Sequence, residues 1–263
     1  MGITSVSIIG SGNVATHLAK ILRNTGFVIR NIYSRNFNNA TQLANEVEAA
    51  PVSNIKDLLP VDIVIICVSD SAIEQVCNQI TLNQALIVHT SGSTSIDILR
   101  NHKNYGVFYP FQTFSKNTQI DFSKVPVFIE ANTSDNEEKL TSVASKISSS
   151  VKKLTTENRL KLHLAAVFAN NFANHMFSIA HDIITEANLP FEILNHLIHE
   201  TTSKAISSGN PSEVQTGPAV RNNTNIMELH KEILANKPLY QKIYTFVSSS
   251  IIESVTDKKN GTL

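Results

Sequence analysis

The sequence has no surplus of charge: 22 Lys and Arg stand against 22 Asp and Glu, a formal net charge of zero at pH 7. That balance excludes the broad basic footprint expected of a nucleic-acid or anionic-membrane binder. It has only two cysteines, Cys67 and Cys77, both in apolar segments. Neither their spacing nor their surroundings suggest a disulfide framework or a zinc site. His196, His199 and His230 lack any metal-ligand spacing, so no metal is expected. No apolar run is long enough to span a bilayer, and the N-terminus lacks the basic segment of a secretory leader. The expectation is a soluble cytoplasmic protein with neither a nucleic-acid nor a membrane partner.

With 263 residues, 42% hydrophobic and 17% charged, the chain has material for one large core or two ordinary ones. Its organising stretch lies at the start. Val6, Ile8 and Ile9 read as a short buried strand, and Gly10-Ser-Gly-Asn-Val-Ala15 turns it into a helix over about residues 13–24. This is a G-x-G-x-x-A dinucleotide fingerprint in the strand–turn–helix context that it requires. Gly10 permits the tight turn, Gly12 admits a pyrophosphate close to the backbone, and Ala15 lets the helix sit close on the sheet. Ser11, Asn13 and Val14 complete the turn, and the free N–H groups of the helix hold phosphates.

A second strand over Phe27–Ile32 closes with Tyr33-Ser34-Arg35-Asn36. An NAD-binding fold places an acidic residue here, for the ribose hydroxyls. This region has none. Ser34 and Arg35 instead suit a 2′-phosphate, since Arg offers forked, charged donors, and NADP is the expected cofactor. A helix over 36–47 and a short strand near 50–53 follow. Val61–Val68 (VDIVIICV) is the continuous β-branched run of a strand buried on both faces. It ends at Ser69-Asp70-Ser71, where Asp70 or Ser71 is expected to cap a helix, with Val68 and Ser69 beside the nucleotide. Ala85–Val88 is a strand leading into His89-Thr90-Ser91-Gly92-Ser93. In open α/β sheets ligands lie beyond the carboxyl ends of strands, so this loop is expected near the nicotinamide. Further strands are read over 105–109, 125–130 and 150–154, with a helix over 135–148 and Pro110-Phe-Gln112 after the first of them. Strands alternating with helices to residue 154 describe an N-terminal Rossmann domain, a doubly wound and mainly parallel sheet.

From residue 155 to 263 the pattern is all-helical. Residues 156–187 read as one helix of about 32 residues, roughly 48 Å long, which needs helices or a second subunit to cover it; a homodimer is expected. At 100° per residue Leu160, Leu164, Phe168, Asn171 and His175 share a stripe, while His163, Asn170, Asn174 and His181 form a second row. Buried amides and imidazoles need partners, which leaves two readings: a structural network between helices, or the polar wall of a pocket. Gln215–Arg221 (QTGPAVR) either delivers an anion-binding arginine, Arg221, or joins two helices.

A Rossmann half followed by an all-helical half resembles the 6-phosphogluconate dehydrogenase superfamily, which includes pyrroline-carboxylate reductase, prephenate dehydrogenase and the deazaflavin-dependent NADP reductases. The segments GSGNVATHLA, YSRN, VHTSGS, GVFYPFQTFS, PVFIEA, LHLAAVFANNFANH and QTGPAVR, spanning about residues 5–251, are similar to one bacterial family. That family pairs a Rossmann-like NADP-binding domain with a C-terminal domain of unknown function. The resemblance implies a helical domain that helps to form a dimer and closes over the nicotinamide. Two departures limit it. The Lys-x-x-x-Asn pair of many 3-hydroxyacid members is absent, and Tyr109-Pro110 stands where prephenate dehydrogenases carry a catalytic His.

The resulting expectation is an NADP-dependent oxidoreductase acting on a small substrate. Tyr109, Asn171 and His175 are the catalytic candidates; His89, Gln112 and Arg221 are the substrate-contacting ones. The cofactor set is Gly10, Ser11, Gly12, Asn13, Val14, Ser34, Arg35, Val68, Ser69, Thr90 and Ser91. The alternative is a regulatory or interaction protein that binds NADP without turnover.

Overall fold

The computed structural model describes residues 2–116 and 118–259. Eight strands form one sheet: β1 (Ser5–Ile9), β2 (Val28–Tyr33), β3 (Ala50–Val52), β4 (Ile63–Ile66), β5 (Leu86–His89), β6 (Asn104–Pro110), β7 (Val127–Ala131) and β8 (Val151–Lys153). Their order is β3-β2-β1-β4-β5-β6-β7-β8. Every neighbouring pair is parallel except β6 and β7. The first six strands in the order 3-2-1-4-5-6 make a Rossmann sheet, with its topological switch between β1 and β4.

The apolar runs explain why the central strands are buried on both faces. Along β4, Ile63 and Ile65 enter one core while Val64 and Ile66 enter the other. In β1, Val6 and Ile8 face the first core and Ile9 the second. The first face is covered by α1 (Asn13–Asn24), α2 (Phe37–Glu46) and α4 (Ser134–Ser145). Helix α1 contributes Ala15, Leu18, Ala19 and Leu22, one apolar stripe at helical spacing. The second face is thinner. It is covered by the five-residue α3 (Ile73–Cys77) and by 3-10 turns carrying Ile55 and Leu99.

The loop after β4 departs from expectation. Neither Asp70 nor Ser71 caps a helix: both lie within a 3-10 turn that precedes α3, and Asp70 Oδ2 accepts a hydrogen bond from Ser93 Oγ. The side chain ties the β4 and β5 loops together instead.

Strands end at Lys153, yet the first compact unit runs to Asn171 and the second covers 172–263. The boundary read at residue 154 therefore marks the end of the sheet but not of the unit. Helix α5 (Thr156–Ala166) belongs to the first unit because Arg159, fully buried, ties it to Glu130 of β7 and to the carbonyl of Thr94.

The long α-helix read from the sequence is also broken. Residues Val167–Phe172 form a π segment between α5 and α6 (Ala173–Glu186). A π segment adds residues per turn, so the stripe drawn at 100° from Leu160 to His175 does not run straight through it.

The second unit consists of α6, α7 (Asn195–Ser207), α8 (Thr224–Ile233) and α9 (Pro238–Lys259). Inside it Tyr240 donates to Asp182 (2.5 Å) and His230 Nδ1 lies 2.9 Å from the Tyr244 hydroxyl. Its buried apolar side chains are few among the described residues: Ala219, Met227 and Leu234.

Candidate functional site

The carboxyl ends of β1, β2, β4, β5 and β6 gather the loops that matter. Gly10 adopts φ +132°, and a Cβ there would stand 2.1 Å from the Cys67 carbonyl oxygen, so no other residue fits that turn without a shift of backbone. At Gly12 the corresponding space is open. Gly12 is also the N-cap of α1, with no side chain capping it and no acidic residue in the first turn. The first N–H groups of α1 and its positive dipole end are thus left for an anion.

Beside this turn Ser11 Oγ donates to Ser34 Oγ (2.8 Å), which joins the end of β1 to the end of β2. Arg35, the next residue, is exposed and makes no ion pair among the described residues. An open glycine cradle, an uncapped helix and an unpaired arginine after β2 fit a dinucleotide carrying a 2′-phosphate. The Asn13 side chain turns elsewhere: its Nδ2 donates to the Phe114 carbonyl (2.7 Å), and His17 Nε2 donates to that of Ser115 (2.9 Å). Both strap the loop after β6 onto α1.

Along the β5 loop the side chains mostly serve the loop itself. The Ser91 hydroxyl accepts from the N–H groups of Ser93 (3.1 Å) and Thr94 (2.9 Å) and donates to Thr94 Oγ1 (2.9 Å). Thr90 Oγ1 donates to the Ile66 carbonyl (3.3 Å). His89 is fully buried. Its Nδ1 accepts from Ser91 N (3.2 Å), and Nε2 has no hydrogen bond of good geometry, the Ser95 backbone giving it only weak electrostatic support. Burial, reinforced by the positive charge of Arg159, holds the His89 imidazole down at about 4, so it is neutral. His89 and Ser91 are both buried, and their side-chain hydrogen bonds lie within this loop.

Tyr109 and His163 form a phenol–imidazole couple. Tyr109 Oη, at the end of β6, lies 3.3 Å from His163 Nδ1 on α5. Tyr109 is held edge-on to Phe111, with ring centroids 6.0 Å apart, and Phe111 packs edge-on to Phe128 at 5.8 Å. Burial pushes the phenol above its ordinary range, and Asp70 adds to this while Arg159 opposes it. The phenol is therefore a protonated donor at neutral pH. Gly92 packs against both rings: a Cβ there would stand 2.6 Å from His163 Nδ1 and 2.7 Å from Tyr109 Oη.

These rings open into a cavity of about 340 Å³. Tyr109, Phe111, Gln112, His163, Asn170 and Asn171 line it, together with small side chains of α5 and the π segment. Of the residues singled out in the sequence, Tyr109, Gln112 and Asn171 line this one cavity. His175 and Arg221 are exposed and belong to the second unit. His163 was visible only as a member of a polar row, and nothing in the sequence singled it out from Asn174 or His181. Gly92 carried no signal beyond its place in a loop of small residues.

Comparison with known proteins agrees with this geometry. Residues 5–92 match the family model described as NADP oxidoreductase, coenzyme F420-dependent, and residues 125–251 match a domain of unknown function, DUF2520. No curated protein matches the chain. Among solved structures, the "putative NADP oxidoreductase" of Bacteroides fragilis is 38% identical, covering 95% of this chain and 98% of its own, at a TM-score of 0.88. A protein from Thermotoga maritima shares the fold at 21% identity and TM-score 0.72, covering 97% and 99% of the two chains. An imine reductase from Myxococcus stipitatus, solved with NADP+, shares it at 14% identity and TM-score 0.70, covering 96% and 94%. The Bacteroides match at 38% identity over nearly the full length of both chains shows that this chain belongs to the family of Rossmann-fold NADP oxidoreductases with a C-terminal helical domain.

Proposed function

We propose that the protein transfers a hydride between NADP(H) and a small substrate held in the cavity beside Tyr109. The observation that carries this reading is the phenol–imidazole couple of Tyr109 and His163, which opens into a cavity at the carboxyl edge of a Rossmann sheet. NADP(H), when bound, supplies or accepts the hydride. The N–H groups of α1 hold the pyrophosphate, and Ser34 and Arg35 hold the 2′-phosphate.

A two-electron reduction of a C=O or C=N bond adds one hydride to carbon and one proton to the heteroatom. Tyr109 Oη gives that proton, and His163 behind it returns one to the phenolate. Asn171 and Asn170 offer amide groups to orient the substrate, and Phe111 keeps water from the donor. His175 and Arg221 carry no part of this proposal.

A homodimer in a soluble cell compartment completes the reading. The reading of a dimer is supported by the large apolar side chains that the second unit exposes, Ile206 by 82% and Phe246 by 80% among them. Among the described residues no helix is long and apolar enough to cross a membrane.

The test is a pair of substitutions. Tyr109→Phe should lower turnover about 10²–10⁴-fold, the range for loss of a general acid, and Asn171→Ala should lower it as well. Both should leave NADP affinity unchanged. Full turnover by the Tyr109→Phe protein would remove the phenol from the mechanism.

A further inference from the structure

Arg159 is an unusual residue to find buried, one turn before His163 on α5. It is 1% exposed and the largest of the fully buried side chains among the described residues. Its guanidinium reaches three separate segments. Nη1 pairs with Glu130 of β7, while Nη2 donates to the Thr94 carbonyl of the β5 loop (2.5 Å) and to Thr156 Oγ1 of its own helix (3.3 Å). The Arg159 Nε is buried without a partner among the described residues, whereas Glu130 is engaged through both oxygens. Its Oε1 accepts from Thr156 N (2.8 Å) and its Oε2 from Thr156 Oγ1 (2.9 Å), so it anchors the first turn of α5, where a carboxylate also suits the helix dipole.

Each of these segments carries a part of the phenol–imidazole couple. Helix α5 carries His163, one turn beyond Arg159. The β5 loop carries Gly92, which packs on both rings. Strand β7 carries Phe128, which faces Tyr109 across the antiparallel β6–β7 pair. We infer that Arg159 and Glu130 are the positioning pair of the site, fixing α5, the β5 loop and β7 on one another so that Tyr109 and His163 meet. This rests on the reading of Tyr109 as the proton donor.

Stability alone does not account for the pair. A buried ion pair loses the hydration of both charges, and apolar side chains of similar volume commonly hold a helix to a sheet as well or better. A forked cation with acceptors on three segments fixes their mutual orientation in a way that an apolar contact does not. Its charge also acts on the phenol: Arg159 opposes the upward push of burial on Tyr109, and nearby it disfavours protonation of His89. The charges that bear on the phenol are Arg159 of α5 and Asp70 of the β4 loop, with His163 of α5 at hydrogen-bond distance; Glu130 pairs with Arg159.

The experiment uses the whole protein and two readouts that need no substrate. The first is the phenol titration of Tyr109, isolated as the ultraviolet difference between each protein and its Tyr109→Phe counterpart. The second is the imidazole NMR signal of His163, identified by its loss in His163→Gln. In the double variant Arg159→Met/Glu130→Gln, which keeps the volume and removes both charges, the Tyr109 titration should move to higher pH and the His163 signal should shift. In Arg159→Lys, which keeps the charge but loses the fork, the His163 signal should still shift while the Tyr109 titration moves less.

Where a substrate is in hand, kcat should fall about 10- to 100-fold in both variants, with KM and NADP affinity changed less than about threefold, the fall equal to roughly 1.4–2.8 kcal/mol. A folded variant of either kind with wild-type Tyr109 and His163 signals would overturn the positioning role. These two signals are read without turnover. A catalytic reading that fails through an inert Tyr109→Phe substitution is therefore distinguishable from a positioning reading that fails through unmoved signals.

Discussion

Replacing His89 with glutamine should flatten the acid side of the stability profile. In the folded protein the imidazole is buried, its Nδ1 accepts the Ser91 N–H, and Arg159 adds a repulsive charge. Burial first, and then the charge of Arg159, hold its titration at about 4, against an ordinary 6.5. Between those two values the unfolded chain takes up a proton that the native protein refuses, so stability must rise with pH across the window. The native protein keeps the full contribution above pH 6.5 and loses it progressively as the pH falls toward 4.

A gap of about 2.5 pH units at about 1.4 kcal/mol per unit gives about 3.5 kcal/mol across the window. Glutamine has an acceptor oxygen for the Ser91 N–H and no proton to gain. Urea unfolding of both proteins at a series of pH values from about 7 to about 4.5 reads the difference directly. The wild type should lose about 2–3 kcal/mol more than His89→Gln over that range. Parallel profiles for the two proteins would show that His89 titrates normally and that its burial has been misread.

Two further substitutions probe the ligand sites. Arg35→Ala should weaken NADP about ten- to a hundredfold, as loss of one charge-assisted contact does, and leave NAD binding unchanged in fluorescence titrations; equal losses for both would assign Arg35 a structural role. Gly92→Ala places a methyl group 2.6 Å from His163 Nδ1 and 2.7 Å from Tyr109 Oη. It should lower turnover at least about tenfold, or roughly 1.4 kcal/mol, with NADP affinity retained. Wild-type turnover would show that the two rings need not meet.

Much of the sheet was legible because its residues obey local rules. VDIVIICV is β-branched and continuous since β4 is buried on both faces, and Gly10 marks a turn that only glycine fits without a shift of backbone. Local rules also explain the failures. The helix from Thr156 looked uniform because a period of 3.6 carries no mark of the π segment at Val167–Phe172, and that segment breaks the stripe through Asn171 and His175. Asp70 read as a cap because a cap is the common local use of aspartate before a helix, whereas its partner, Ser93, lies 23 residues away. The Tyr109–His163 couple was beyond reach for the same reason. Its members are 54 residues apart, and only the sheet order and the Arg159–Glu130 tie bring them together. In the sequence Arg159 resembles any solvated helix arginine.

The central claim is that a hydride leaves the nicotinamide for a substrate beside Tyr109. The most direct measurement is a single-turnover reaction with NADPH deuterated at the transferring position of the ring, run against a panel of ketones, aldehydes and imines and read by mass spectrometry of the products. The expected result is a reduced product carrying one deuterium on carbon, formed by the wild type and not by Tyr109→Phe, with NADPH bound equally by both. NADPH held tightly while its label stays on the ring for every member of the panel would contradict it, and would leave a nucleotide-binding module in place of an enzyme.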